Sequence, residues 1–280
     1  MRLLRFLFIE FIYNGHMQSL GVASIVYGAS KLFFWQPILY PIFASYLLFQ
    51  LVYIFDRYHD LNDDYSTNKT RSEHLLSYAQ YIPIIFLIYL IALVVILWQT
   101  SQVQGIIFTF FILFMGILYP IFFKNLTRHI FLFKNLYVSS VFGLMALYGN
   151  IYFYIAPISY SFAIFVFLYI FLETMIMQFM LDCKDTVVDG LKSLKTLPVR
   201  FGVERAVAII YVIIFIKATL YIFLAYSNLT EGLPQFIYLI GATTLINLVA
   251  IYLIAKNNSV GYLLSAGKFL LWSIIFSIKI

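Results

Sequence analysis

Asp182-Cys183-Lys184-Asp185-Thr186-Val187-Val188-Asp189-Gly190-Leu191-Lys192-Ser193-Leu194-Lys195-Thr196-Leu197-Pro198 is the most informative stretch of this 280-residue chain. It follows an apolar run from Ile158 to Leu181, so three carboxylates fall where a membrane-length helix meets water. The chain has only 12 acidic residues, and a second group of them, Asp56, Asp60, Asp63 and Asp64, also closes an apolar run. Two acidic clusters at the ends of two such helices, in a chain so poor in charge, call for a shared reason.

Composition sets the class. The chain is 63% hydrophobic and 11% charged, against about 25% charged residues in an ordinary soluble domain. Apolar runs of roughly 20 residues recur along its whole length, each long enough to cross a hydrocarbon core as a helix. The expected fold is therefore all-α, a polytopic membrane bundle of about nine helices. The spans lie near 13–34, 37–55, 78–98, 105–123, 136–156, 158–181, 204–226, 234–255 and 261–279. With no long linker, residues 1–280 read as a single membrane domain. The N-terminal segment has charge before an apolar run but no clear small-residue cleavage site, so it reads as retained.

Charge then orients the bundle. Most of the 18 Lys and Arg fall on segments that share one side when the N-terminus is inside, and the opposite loops carry none. Both aspartate clusters are thus expected on the cytoplasmic side of an integral, multi-pass protein. The same bias accounts for the net charge of +6 without nucleic acid. The lone Cys183 excludes an intramolecular disulfide and reads as a small filler. The clusters lie about four helices apart, each after an even-numbered span, which suggests two pseudo-equivalent four-helix halves around a central cavity.

Spacing supplies the chemistry. Asp182, Asp185 and Asp189 are i, i+3, i+7 on one helical face, and Asp56, Asp60 and Asp64 would be i, i+4, i+8 if their helix runs on. Carboxylates phased this way repel one another unless a cation joins them. An all-oxygen donor set favours Mg²⁺ or Ca²⁺, and Mg²⁺ usually takes one or two carboxylates together with water and substrate phosphate. Solvated acids that keep helix ends in water are the plainer alternative, and Asp63, off the phased face, reads that way. Glu173 lies at membrane depth, where an ionisable group is a functional candidate by default. It reads as orienting a substrate, pairing with Lys217, or packing helices.

These residues resemble the UbiA superfamily of intramembrane prenyltransferases. The family's second motif, DxxDxxxD with a Thr-Leu-Pro-like tail, is matched by Asp182 to Asp189 and by Lys195-Thr196-Leu197-Pro198. Asp56-Arg57-Tyr58-His59-Asp60 resembles the core of its first motif, with Asn68 and Arg71 like the downstream Asn and Arg. Tyr119, Lys124, Lys134 and Asn135 look like its basic loop between the fourth and fifth helices. Val52-Tyr53 stands where the family usually has Asn-Asp.

The resemblance implies a Mg²⁺-dependent enzyme that ionises an isoprenyl diphosphate and transfers the prenyl group to an aromatic or other lipophilic acceptor. Asp56, Asp60, Asp64, Asp182, Asp185 and Asp189 would hold the metal. Asn68, Arg71, Tyr119, Lys124, Lys134, Asn135 and Lys192 would contact the diphosphate. The bilayer and the two substrates are the expected partners, with no obligate protein partner. A terpene cyclase of the same fold is the first alternative. A secondary transporter, which would need acids near the midplane and broken helices, is the second.

Overall fold

A computed structural model describes residues 2–34, 38–61, 65, 69–156, 159–226 and 234–278. Every regular element among the described residues is helical. In chain order the main helices are α1 (Arg2–Tyr13), α2 (His16–Phe34), α3 (Leu39–His59), α4 (Lys69–Leu76), α5 (Ile82–Thr100), α6 (Val103–Leu118) and α7 (Phe133–Leu144). There follow α8 (Tyr148–Phe153), α9 (Tyr160–Leu191), α10 (Val203–Tyr226), α11 (Pro234–Ala255), α12 (Val260–Gly267) and α13 (Leu271–Ser277).

Eight helical spans among the described residues are long and apolar enough to cross a membrane. They match the expected second to ninth spans, with α7–α8 and α12–α13 each forming one span across a 3₁₀ turn. The expected first span corresponds to α2, which is 19 residues long but less apolar than the eight. Its Ser19, Gly21, Ser24 and Gly28 are buried rather than lipid-facing.

Those small residues close the bundle. A Cβ on Gly28 would meet Trp272 at 2.5 Å, one on Gly21 would meet Phe269 at 3.2 Å, and Ser24 Oγ donates to Ser273 Oγ at 3.2 Å. In lipid, helices associate by close packing rather than by a hydrophobic drive, so small residues at a seam let the backbones approach. The last helices thereby return to α2. The packing runs from α2 through α3 to α5 and α6, then from α7 through α9 and α10 to α11 and α12.

Helix α9 holds the centre. It is capped by Ser159, whose side chain accepts from Phe162 N, and runs unbroken for 32 residues. It therefore contains the whole Asp182–Asp189 motif, which the sequence places beyond the helix's membrane portion. Midway along it, Glu173 is fully buried. Its carboxylate accepts from Lys217 Nζ, from Lys268 Nζ at 2.6 Å and from Asn247 Nδ2 at 2.9 Å. Lys268 Nζ also donates to Asn247 Oδ1 at 2.9 Å and to the Glu173 carbonyl at 2.8 Å. Glu173 thus pairs with Lys217, one of its expected readings, and these polar groups satisfy one another across four helical elements, which also packs them together.

Helix α1 is separated from α2 by Gly15, whose φ of +89° suits glycine. A Cβ there would strike Tyr53 Cβ at 2.6 Å, so the turn presses directly on α3. Glu10 fixes α1 in place. It accepts from Tyr78 Oη at 2.6 Å and Asn14 Nδ2 at 2.6 Å, and His74 Nε2 lies 2.7 Å away. Burial alone would raise the Glu10 carboxyl, but hydrogen bonds from His16, Tyr78, Asn14 and His74 outweigh it and hold the group down at about 2. His74 belongs to α4, the helix that carries Arg71.

Candidate functional site

Four segments meet at one end of the bundle. The end of α3 brings Asp56, Arg57 and Asp60. A π-helical turn at Tyr119–Phe123, with Pro120 inside it, brings Tyr119 and leads to Lys124. The start of α7 brings Lys134, and the last turns of α9 bring Asp185 and Asp189. Proline's missing N–H breaks the regular ladder and suits such a widened turn. Helix α3 ends at His59, and Asp60 caps it through an N–H bond to Asp56 O. The expected phasing of Asp64 with Asp56 and Asp60, and any role of Asn68, fall on residues outside the described ones.

The lysines are placed by their loops. Leu132 takes the left-handed conformation at φ 61°, rare for a branched residue, just before α7 begins. Its N–H bonds to Lys195 O at 3.2 Å, and Lys195 N–H bonds to Thr127 O at 2.9 Å. The segment after α9 thus clips the segment before α7. This is the structural use of the Lys195-Thr196-Leu197-Pro198 tail.

A cavity of about 310 Å³ lies between these elements. Four carboxylates line it: Asp56, Asp60, Asp185 and Asp189. Six cations line it as well, namely Arg57, Arg71, Lys124, Lys134, Lys184 and Lys192, a formal excess of two positive charges (six against four). Tyr119 completes the expected set on this wall. Asp60 accepts from Lys124 Nζ, and His59 Nδ1 lies 2.9 Å from its other oxygen. Burial alone would raise Asp60, but the Lys124 charge, with hydrogen bonds from Lys124 and His59, holds its carboxyl below the usual range.

Asp182 and Asn135 sit behind this wall. Asp182 is fully buried, and its oxygens accept from Lys134 Nζ at 2.8 Å and Asn135 Nδ2 at 2.7 Å. In this arrangement both residues orient Lys134 rather than face the cavity. Asp189 differs, for its Oδ2 is buried without a hydrogen bond, 3.7 Å from Lys134 Nζ. No three acidic, His or Cys side chains converge on one point among the described residues. An ion held here would take one or two carboxylates and complete its shell with water or ligand oxygens, the habit of Mg²⁺. The orphaned Asp189 oxygen and the all-oxygen donors fit such an ion.

An apolar slot of about 220 Å³ opens off the same place. Tyr53, Asp56, Tyr119, Lys134 and Gln178 line both spaces. Sequence reasoning noted Tyr53 only as a departure from the family's first motif, and passed over Tyr137 and Gln178. Their signal was helical phase: Tyr53 is three residues before Asp56, Tyr137 three after Lys134, and Gln178 seven before Asp185. Val52 lies in the slot wall against Gly116, where a Cβ would come within 2.4 Å of it.

The family model described as the UbiA prenyltransferase family matches residues 19–274. A sequence search among curated proteins finds no match. Solved structures with the same fold include an apo UbiA homolog from Aeropyrum pernix K1, at TM-score 0.69 and 14% identity, covering 93% of this chain and 94% of that one. A UbiA homolog from Archaeoglobus fulgidus bound to GPP and Mg²⁺ superposes at TM-score 0.65 and 12% identity, covering 96% and 100%. A structure described as that of digeranylgeranylglyceryl phosphate synthase superposes at TM-score 0.58 and 15% identity, covering 99% and 96%.

Proposed function

The chain belongs to the UbiA prenyltransferase family, and from that premise we propose that it is a Mg²⁺-dependent enzyme that transfers a prenyl group from an isoprenyl diphosphate to a lipophilic acceptor. One observation carries the reading: a cavity of mixed charge with a cationic excess opens directly onto an apolar slot. That pairing suits an amphiphile with a polyanionic head and a hydrocarbon tail.

In this reading Asp56, Asp60, Asp185 and Asp189 would hold Mg²⁺, with Asp64 as a further candidate and Asn68 as a further contact to the diphosphate. The ion, when bound, neutralises the leaving diphosphate as a Lewis acid. Arg57 and Arg71 grip phosphate oxygens, Arg side chains doing so in bidentate fashion. Lys124, Lys134 and Lys192 act as point charges. Asp182 and Asn135 hold Lys134 on target. The bond between the allylic carbon and the diphosphate oxygen breaks, and the electron pair leaves with diphosphate. An electron-rich carbon or oxygen of the acceptor then attacks the cation and gives up a proton.

Tyr53, Tyr119 and Tyr137 line the slot and are the rings placed to stabilise that cation, each contact worth about 0.5–2 kcal/mol. The apolar slot excludes the water that would quench it. Met17, Leu263 and Ala266 give the cavity apolar lining outside the slot, a surface suited to a lipophilic acceptor. This supports transfer over cyclisation.

The test is release of pyrophosphate from a radiolabelled isoprenyl diphosphate, with and without Mg²⁺, beside Asp185→Ala. Release that needs both the ion and Asp185 is expected. Release indifferent to both, or none across several tail lengths, overturns the proposal.

A further inference from the structure

The slot has a depth that the helices themselves measure. Its upper rim carries Asp56 on α3 and Lys134 on α7. Phe49 lies seven residues from Asp56 and Phe142 eight from Lys134, which at 1.5 Å per residue sets them about 10–12 Å below the rim. Their rings meet edge to face at 5.3 Å and 83°, an arrangement aromatic pairs favour. Phe142 is backed in turn by Phe269 at 5.7 Å. The two phenylalanines therefore make a braced floor rather than a loose plug. The side is braced too: Tyr137 Oη crosses from α7 to donate to Met115 O on α6 at 2.8 Å, and Tyr119 stacks on Tyr137 at 5.4 Å.

Resting on the diphosphate reading above, we infer that this slot takes the donor's hydrocarbon tail, and that the Phe49–Phe142 floor limits it to a short chain, of geranyl rather than farnesyl length. The apolar lining outside the slot, at Met17, Leu263 and Ala266, is left to the acceptor. A slot that ends on this floor about 10 Å down holds an extended geranyl chain and stops a longer one, because a packed interior resists even one extra methylene. Val138 lies four residues from Lys134, about 6 Å below the rim, level with the second isoprene unit. It is only half-buried, so enlarging it fills the slot without forcing the core apart.

The experiment measures Mg²⁺-dependent binding of inorganic pyrophosphate and of the unreactive dimethylallyl, geranyl and farnesyl thiolodiphosphates. The wild type is expected to bind the geranyl compound at least about tenfold more tightly than the dimethylallyl one, with no further gain for farnesyl. Val138→Phe is expected to cancel the geranyl gain while leaving dimethylallyl and pyrophosphate within about twofold. Phe142→Leu is expected to let farnesyl overtake geranyl. Val141→Phe, one turn deeper, gives the same readout as Val138→Phe if that variant does not fold.

Two results overturn the assignment: geranyl binding untouched by Val138→Phe and Val141→Phe, or geranyl binding lost instead in Leu263→Phe outside the slot. Failure of the wild type to bind pyrophosphate with Mg²⁺ overturns the diphosphate reading itself, and so separates the two proposals.

Discussion

Lys134 Nζ sits 2.8 Å from Asp182 Oδ1, where Asp182 is wholly out of reach of solvent. The same ammonium lies 3.7 Å from Asp189 Oδ2, two helical turns further on, so α7 is pinned to α9 through one charged atom. Removing one partner of a buried pair leaves the other uncompensated.

Asp182→Ala is therefore expected to cost about 3–5 kcal/mol, read as a lowered thermal midpoint in detergent. Asp182→Asn keeps the shape and a partial partner for Asn135, and should lose less. Equal midpoints for wild type and Asp182→Ala would mean that Lys134 is held by something else.

Glu173 gives a prediction of the opposite kind. Glu173→Gln leaves Lys217 and Lys268 as neighbouring buried cations without a counter-charge, at a cost of about 3–5 kcal/mol. Binding of pyrophosphate with Mg²⁺ by the folded fraction should stay within about twofold of wild type. A selective loss of that binding, with stability unchanged, would overturn the packing role.

Acid sensitivity traces to Glu10. Its folded-state value, near 2, is below the ordinary 4.5, so the stabilisation is fully present above pH 4.5 and disappears as pH falls through about 2. Discounted for the solvent screening of a half-buried carboxylate, the shift corresponds to about 2 kcal/mol. Melting curves of wild type and Glu10→Gln should converge between pH 5 and 2, with wild type the more stable at pH 7. Parallel curves across that range would rule Glu10 out as the source.

Gly15→Ala is expected to destabilise by more than about 1 kcal/mol, because it combines a left-handed backbone with a Cβ driven into Tyr53. Since Tyr53 lines both the cavity and the slot, affinity for a prenyl thiolodiphosphate should fall more than affinity for pyrophosphate. Equal losses for the two ligands would place the damage elsewhere.

What sequence revealed follows from what periodicity encodes. Spacing of i, i+3, i+7 correctly gives Asp182, Asp185 and Asp189 a common azimuth on α9, yet azimuth is not depth. Only the crossing of α7 puts Asp182 behind the wall while Asp185 and Asp189 face the cavity. The pairing of Glu173 with Lys217 could be weighed as one option from their membrane depth. Asn247 and Lys268, 74 and 95 residues away, could not, since no local pattern signals a partner that distant. The Glu10 cluster was hidden for the same reason, with His74 read as a loop residue and Tyr78 as the start of a membrane span. Helix α2 was the least legible span because Asn14, His16 and Gln18 interrupt its start, and because Ser19, Ser24 and Ser30, buried at a small-residue seam, weaken its membrane signal.

At about 48 Å, the 32-residue α9 outruns a hydrocarbon core of roughly 30 Å. Its carboxylates lie in the final turns, so the proposed chemistry would take place at a phase boundary. The two products of such a transfer have opposite solubilities: the freed diphosphate drains into water, and the prenylated molecule stays dissolved in oil. Each departure runs down its own partition gradient. Re-encounter, and with it reversal, becomes rare without any moving gate, simply because one helix is longer than the membrane is thick.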